Sequence, residues 1–281
     1  MKKIVKNVNG LKMEYLESGH GPKLILLHGL GGYCEDFSEM IPKLARHYHV
    51  YSFTLPVYGT RDSLGRRYTI RTLHRYLRRV LKYLEIHKPI ILGHSMGGMI
   101  GIHYAATFPK SVDKLITVST PLSDFNVSLP LEWVWAVKFS TENSHAQDVI
   151  NYIASKKTLF DALSRVIFPG VNKRRKIQSA REFLTGIPVK STGMFYHDLF
   201  SYSYKKWVEK VRVPTLMIYG TKDAEIARFR GTALYNLIPG AKIVALPAYH
   251  FITVDLPDEL ANLTKKFLHG EEVESLPTLK V

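Results

Sequence analysis

A serine set between glycines, at Gly93-His94-Ser95-Met96-Gly97, is the first feature of this chain that could do chemistry. A short apolar run, Ile90 to Leu92, leads into it. An apolar stretch of helical length, residues 98–108, follows and is closed by Pro109. Strand, G-x-S-x-G, helix is the context a nucleophile elbow requires. A serine at so sharp a corner sits in strained backbone and needs neighbours without a Cβ, which Gly93 and Gly97 supply. Gly98 and Gly101 let the following helix lie close to the sheet. A glycine-rich corner with no chemistry is the alternative, so the helpers decide. An activated serine needs a base, a group that orients the base, and donors for a developing oxyanion. The sequence offers candidates at two later strand ends. Residues 213–219 run into Gly220-Thr221-Lys222-Asp223, and residues 242–246 into Pro247-Ala248-Tyr249-His250. Asp124, after another strand, competes with Asp223 for the acid.

These positions must be held by regular elements. Asn9-Gly10 is a hairpin turn between strands at 3–8 and 11–17. Residues 23–27 form a continuous apolar strand of the kind buried on both faces of a parallel sheet, and deliver a second glycine-rich corner, His28-Gly29-Leu30-Gly31-Gly32. A helix is expected over 37–48, weakened at Pro42, then a strand at 49–54. A helix at 69–86 and a strand at 115–119 flank the elbow. Strands alternating with helices at this spacing imply βαβ units and a mostly parallel sheet. From Leu122 to about Tyr204 the alternation stops, and about four aromatic-rich helices are expected. The sheet pattern then resumes, with a helix at 229–237 and a closing helix at 258–268 behind Pro257. The segment 122–204 therefore reads as an insertion into one domain.

Composition excludes several classes. The 281 residues carry 46% hydrophobic and 22% charged residues, as in an ordinary globular protein. No secretory signal pattern and no run long enough to span a membrane is present. The single cysteine, Cys34, fits a reducing compartment and a buried or incidental thiol, so a cytoplasmic protein is expected. The net charge of +15 suggests anionic partners, yet the cations are scattered. In the 69–86 helix Ile70, Leu73, Leu77, Val80, Leu81 and Leu84 mark one face, while Arg71, Arg75, Arg78, Arg79 and Lys82 mark the other, a solvated face. No zinc-finger spacing, RNA-recognition signature or phosphate loop occurs, so no nucleic-acid partner, metal or organic cofactor is expected. Peripheral membrane contact rests only on charge and on Trp133 and Trp135.

The corner at His28–Gly32, the elbow at Gly93–Gly98, the run from Val213 to Asp223 and the run from His250 to Pro257, in this order, resemble the α/β-hydrolase-fold serine hydrolases over essentially the whole chain. The resemblance implies an α/β-hydrolase fold: a mostly parallel sheet with helices on both faces, residues 1–121 and 205–281 as core, and 122–204 as a helical cap. It implies Ser95 as nucleophile, His250 as general base and then acid, Asp223 as the orienting acid, and the backbone N–H groups of Leu30 and Met96 as the oxyanion hole. His28, Gly29, Gly93, Gly97 and Gly98 would shape the corners. Trp133, Trp135 and Tyr249 would line an apolar pocket, with Tyr249, where relatives often have glycine, narrowing it. Thr54–Gly59 departs from the usual turn after the preceding strand without touching the triad. Ser95 excludes the branches with an aspartate nucleophile. A small-molecule ester substrate is expected, in a carboxylesterase or monoacylglycerol-lipase-like reaction. Hydrolysis of C–C bonds, lactones or amides, acyl transfer, perhydrolysis, and a non-catalytic binding role are the alternatives.

Overall fold

Each apolar strand of the sequence faces two cores. In β3 (Lys23–Leu27), Ile25 and Leu27 join one cluster of buried side chains, and Leu24 and Leu26 join the other. The same alternation holds in β7 (Thr215–Gly220), where Met217 and Tyr219 oppose Leu216 and Ile218. Successive side chains of a strand point to opposite faces, so an unbroken apolar run is what a sheet covered on both sides needs. The computed structural model describes residues 1–8, 10–58, 61, 63, 65–122, 144–156, 158–162, 191, 194–195, 198, 203–223 and 236–273.

The remaining strands are β1 (Lys2–Val8), β2 (Leu11–Ser18), β4 (His49–Thr54), β5 (Ile90–His94), β6 (Leu115–Val118) and β8 (Lys242–Leu246). They form one sheet in the order β1-β2-β4-β3-β5-β6-β7-β8. The β1–β2 and β2–β4 pairs are antiparallel, and every pair from β4 onward is parallel. The hairpin turns at Gly10, whose φ of 75° favours glycine. The fold is thus the expected α/β-hydrolase architecture.

Among the described residues the α-helices are α1 (Ile41–Leu44), α2 (Ile70–Tyr83), α3 (Met96–Thr107), α4 (Ser144–Ser155), α5 (Lys205–Val208), α6 (Ile252–Asp255) and α7 (Pro257–His269). Side chains of α2 and α3 pack in one core, while α1 and α7 close the other. The N-terminus of α2 is capped by Thr72, whose Oγ1 accepts the Thr69 N–H at 2.7 Å. Its inner face carries the predicted Ile70, Leu73, Leu77, Val80 and Leu81, together with His74 and Tyr76.

One expected helix is much shorter. In place of a helix over 37–48 there is a 3-10 turn, Cys34–Phe37, then the single turn α1. Pro42 has no N–H and is tolerated only in a first turn, so α1 starts at Ile41, and the chain enters β4 only a few residues later. Pro214 likewise holds the seventh strand's start to Thr215 rather than 213. The turn α6 had no periodic signal. Within 122–204, α4 is helical as expected, whereas Asp124, Trp133, Trp135 and most of the segment lie outside the described residues, as does most of the 229–237 helix.

Candidate active site

The elbow begins with its backbone. Ser95 adopts φ 51°, ψ −119° between β5 and α3, a conformation that costs a non-glycine residue about 1–3 kcal/mol. The sharp turn forces close approach on both sides. A Cβ on Gly93 would lie 2.3 Å from the Gly97 carbonyl oxygen, and one on Gly97 would lie 2.1 Å from the Leu27 carbonyl oxygen. The Ser95 N–H donates to the Val118 carbonyl at 2.8 Å, and the Ser95 carbonyl accepts from Gly98 at 2.9 Å. The strained residue is thereby fixed at both its peptide groups.

The three predicted residues meet, across 155 and 27 positions of sequence. His250 Nε2 lies 3.0 Å from Ser95 Oγ, and His250 Nδ1 lies 2.8 Å from Asp223 Oδ2. Ser95 is 7% exposed and Asp223 3%, so both ends of the chain of bonds are buried. The loops that carry the acid and the base are stitched together. Thr221 N–H donates to the Leu246 carbonyl and Lys222 N–H to the Ala248 carbonyl. A Cβ on Gly220 would sit 2.2 Å from the Ala248 carbonyl oxygen, so glycine is needed there for close approach.

Two further histidines hold the corners as neutral rings. His28 Nε2 accepts the Leu55 N–H at 2.7 Å, and its Nδ1–H donates to the Gly29 carbonyl at 2.6 Å. Burial pushes its pKa down to about 4. His94 Nε2–H donates to the carbonyl of His250 at 2.9 Å. Burial, reinforced by the neighbouring His250, pushes His94 down to about 3. Phe251 packs edge-on to the His250 ring, with centroids 5.4 Å apart. No sequence pattern signals this clamp of His94 and Phe251 around His250, because His94 and His250 stand 156 positions apart.

Gly29 lies against the elbow, where a Cβ would come within 3.1 Å of the Ser95 Cβ. The corner bearing Leu30 and the first residue of α3, Met96, therefore flank Ser95. Met96 opens α3, and the first N–H groups of a helix have no acceptor within it. Tyr249 is half-buried, with the Lys222 ammonium 5.8 Å from its ring centroid.

Among the described residues, one group could in principle ligate a metal: Glu14, Cys34 and Glu35. The Lys3 ammonium already bridges the two carboxylates, 2.7 Å from Glu14 and 2.6 Å from Glu35. Burial raises the Cys34 thiol to about 12, which leaves it a poor nucleophile. Among the described residues no helix is long and apolar enough to cross a membrane.

A hydroxyl, an imidazole and a carboxylate thus stand in series at the end of a mostly parallel sheet, the architecture of the α/β-hydrolase class. Residues 22–256 match the family model of the alpha/beta hydrolase fold, and the chain belongs to that family. It is 26% identical over 270 residues to 2-hydroxy-6-oxo-6-(2'-aminophenyl)hexa-2,4-dienoic acid hydrolase of Metapseudomonas resinovorans, covering 93% of this chain and 89% of that protein. It is 27% identical over 275 residues to Lipase 3 of a Moraxella species, covering 93% and 82%. Among solved structures, the enol-lactonase from Burkholderia xenovorans shares the fold with a TM-score of 0.73 at 20% identity, covering 95% of this chain and all of that one.

Proposed function

We propose that the protein is a cofactor-independent serine hydrolase of carboxylic esters, working through an acyl-enzyme on Ser95. The observation that carries this reading is the unbroken series from Ser95 Oγ through His250 to Asp223, at 3.0 and 2.8 Å. In the first step Ser95 Oγ bonds to the ester carbonyl carbon while its proton passes to His250 Nε2. The oxyanion accepts hydrogen bonds from the N–H groups of Met96 and Leu30. Collapse of the intermediate expels the alkoxide, which leaves as the alcohol with the proton from His250. Water then repeats the sequence with His250 as base, freeing the acid and Ser95. Asp223 holds His250 in the tautomer that keeps Nε2 bare and stabilises the imidazolium. The proposal extends to residues 122–204 as a cap and to Tyr249, half-buried next to His250 in sequence, as part of the acyl pocket. The likeness to Lipase 3 supports an ester substrate, and the reducing environment that suits Cys34 supports a cytoplasmic setting.

The test is turnover of p-nitrophenyl esters from acetate to palmitate by the intact protein and by Ser95→Ala. The proposal predicts one preferred chain length, and loss of turnover and of fluorophosphonate labelling in the variant. A folded wild-type protein inert to every ester would refute the ester assignment. A second reading keeps the triad but takes an oxo-dienoic acid as substrate. It is favoured by the relative of that name, matched along 93% of this chain, and by a net charge of +15 that attracts anions. A higher kcat/KM for such an acid than for any ester would select it.

A further inference from the structure

The 61–84 stretch carries seven arginines and one lysine against a single acid, Asp62, and the fold gathers these cations onto one side of the molecule. Arg71, Arg75, Arg78 and Lys82 are exposed along the outer side of α2, a row about 16 Å long at the rise of a helix. The loop before α2 adds Arg61, Arg66 and Arg67 at its N-terminal end. Arg61 and Arg67 form an isolated antiparallel bridge, and Thr72 of α2 donates to the Arg67 carbonyl at 2.8 Å, so loop and helix make one surface. Arg78 is laid down over the Phe108 ring, 3.9 Å from its centroid.

Helix electrostatics do not favour this arrangement. Arg66, Arg67 and Arg71 crowd the N-terminal end of α2, where the macrodipole disfavours positive charge, and no acid stands in its first turn. The pairs Arg71/Arg75, Arg75/Arg79 and Arg78/Lys82 place like charges four residues apart, where they repel. Every arginine, lysine and acid position within α2 is positive.

We propose that this face docks the protein on an anionic lipid bilayer. Arginine suits phosphate-bearing headgroups because its planar fork binds their oxygens in pairs. The row lies on the convex outer side of a helix, as contact with a plane requires, and Tyr83 at its end is 46% exposed, an aromatic suited to the headgroup level. The inference does not depend on which bond Ser95 attacks.

The test is co-sedimentation with vesicles of phosphatidylcholine alone and of phosphatidylcholine with phosphatidylserine, at low and high salt. Wild-type protein is compared with Arg66→Gln/Arg75→Gln/Lys82→Gln and with Arg46→Gln/Lys265→Gln/Lys266→Gln, whose charges lie at the helices of the opposite sheet face. At roughly fivefold in binding per surface cation, the first triple variant is expected to bind anionic vesicles roughly a hundredfold more weakly. The second should bind nearly as the wild type, high salt should abolish the difference, and hydrolysis of a soluble substrate should be the same in all three. Equal binding to neutral vesicles, or equal loss in both triple variants, would overturn the proposal. So would wild-type protein that ignores anionic vesicles while retarding a duplex oligonucleotide at the same salt.

Discussion

Replacing Asp223 by Asn is the sharpest perturbation of the proposed triad, because it changes charge and hydrogen-bond direction while keeping shape. The carboxylate lies 2.8 Å from His250 Nδ1, with side-chain exposures of 1% and 16%, so little water can take its place. At an effective dielectric constant near 20, two unit charges at that separation attract by about 6 kcal/mol. This attraction arises only when His250 carries the serine proton, that is, in the transition state. An amide retains part of it as a dipole, but its NH₂ group also draws His250 into the tautomer whose Nε2–H faces Ser95 and cannot accept. A net loss of about 4–5.5 kcal/mol follows, equal to a thousand- to ten-thousandfold fall in kcat at 1.36 kcal/mol per decade. KM should change less than threefold. The assay is steady-state turnover of the preferred ester, beside a thermal melt to confirm folding, with Asp124→Asn in parallel. If Asp223→Asn keeps more than a tenth of kcat while Asp124→Asn loses a hundredfold or more, the acid is Asp124 and the reasoning fails.

The glycines at the elbow should differ sharply in tolerance. A methyl at Gly97 meets backbone, the Leu27 carbonyl oxygen at 2.1 Å, whereas one at Gly101 meets the flexible tip of Leu115 at 3.0 Å. Gly97→Ala should cost about 3 kcal/mol or more, and Gly101→Ala less than about 1 kcal/mol; equal denaturation midpoints would count against the close approach. Stability should fall with acid. Burial lowers the pKa of His28 to about 4, of His94 and His103 to about 3, and also lowers His74. Below about pH 6.5 the unfolded chain therefore binds more protons than the folded one, and stability is lost as pH falls from there. His103→Phe, which preserves stacking on Trp207 at 4.3 Å, should flatten the slope of melting temperature against pH; an unchanged slope would refute the assignment. His94→Phe removes the hydrogen bond to the His250 carbonyl and should cut kcat about ten- to hundredfold with KM unchanged, and His94→Gln should recover part of it; equal losses in both would make the role steric.

What could be read from the sequence was whatever local chemistry dictates. The strand at 23–27 was legible because burial on both faces demands an unbroken apolar run, and those at 49–54 and 242–246 were legible as short runs holding β-branched or aromatic residues. The basic helix was legible from its one apolar face, though His74 and Tyr76 were not placed there, since neither is apolar enough to mark a stripe. The positions of Ser95, Asp223 and His250 were legible because each stands where a strand ends. The failures are equally physical. The 37–48 helix reduced to one turn because Pro42 limits where a helix can begin. The clamp on His250 went unread because the bond from His94 to the His250 carbonyl spans 156 positions, and only the tertiary fold decides which carbonyl a buried imidazole meets.

The remaining question is how residues so far apart in sequence arrive within hydrogen-bond reach, and strand register answers it. His94 of β5 stands level with Val118 of β6, Val118 with Ile218 of β7, and Ile218 with Val244 of β8. Parallel pairing thus brings the C-terminal ends of four strands to one line. From that line Ser95 is one residue further, Asp223 five and His250 six. The serine therefore has no freedom and must take its strained turn, while Asp223 and His250 ride on loops long enough to fold inward and be tied together at Gly220. The Val118 carbonyl of the intervening β6 holds the Ser95 N–H at 2.8 Å, so the neighbouring strand fixes the serine. The conformational cost at Ser95 is met by the sheet, which holds a geometry that a free chain would rarely visit.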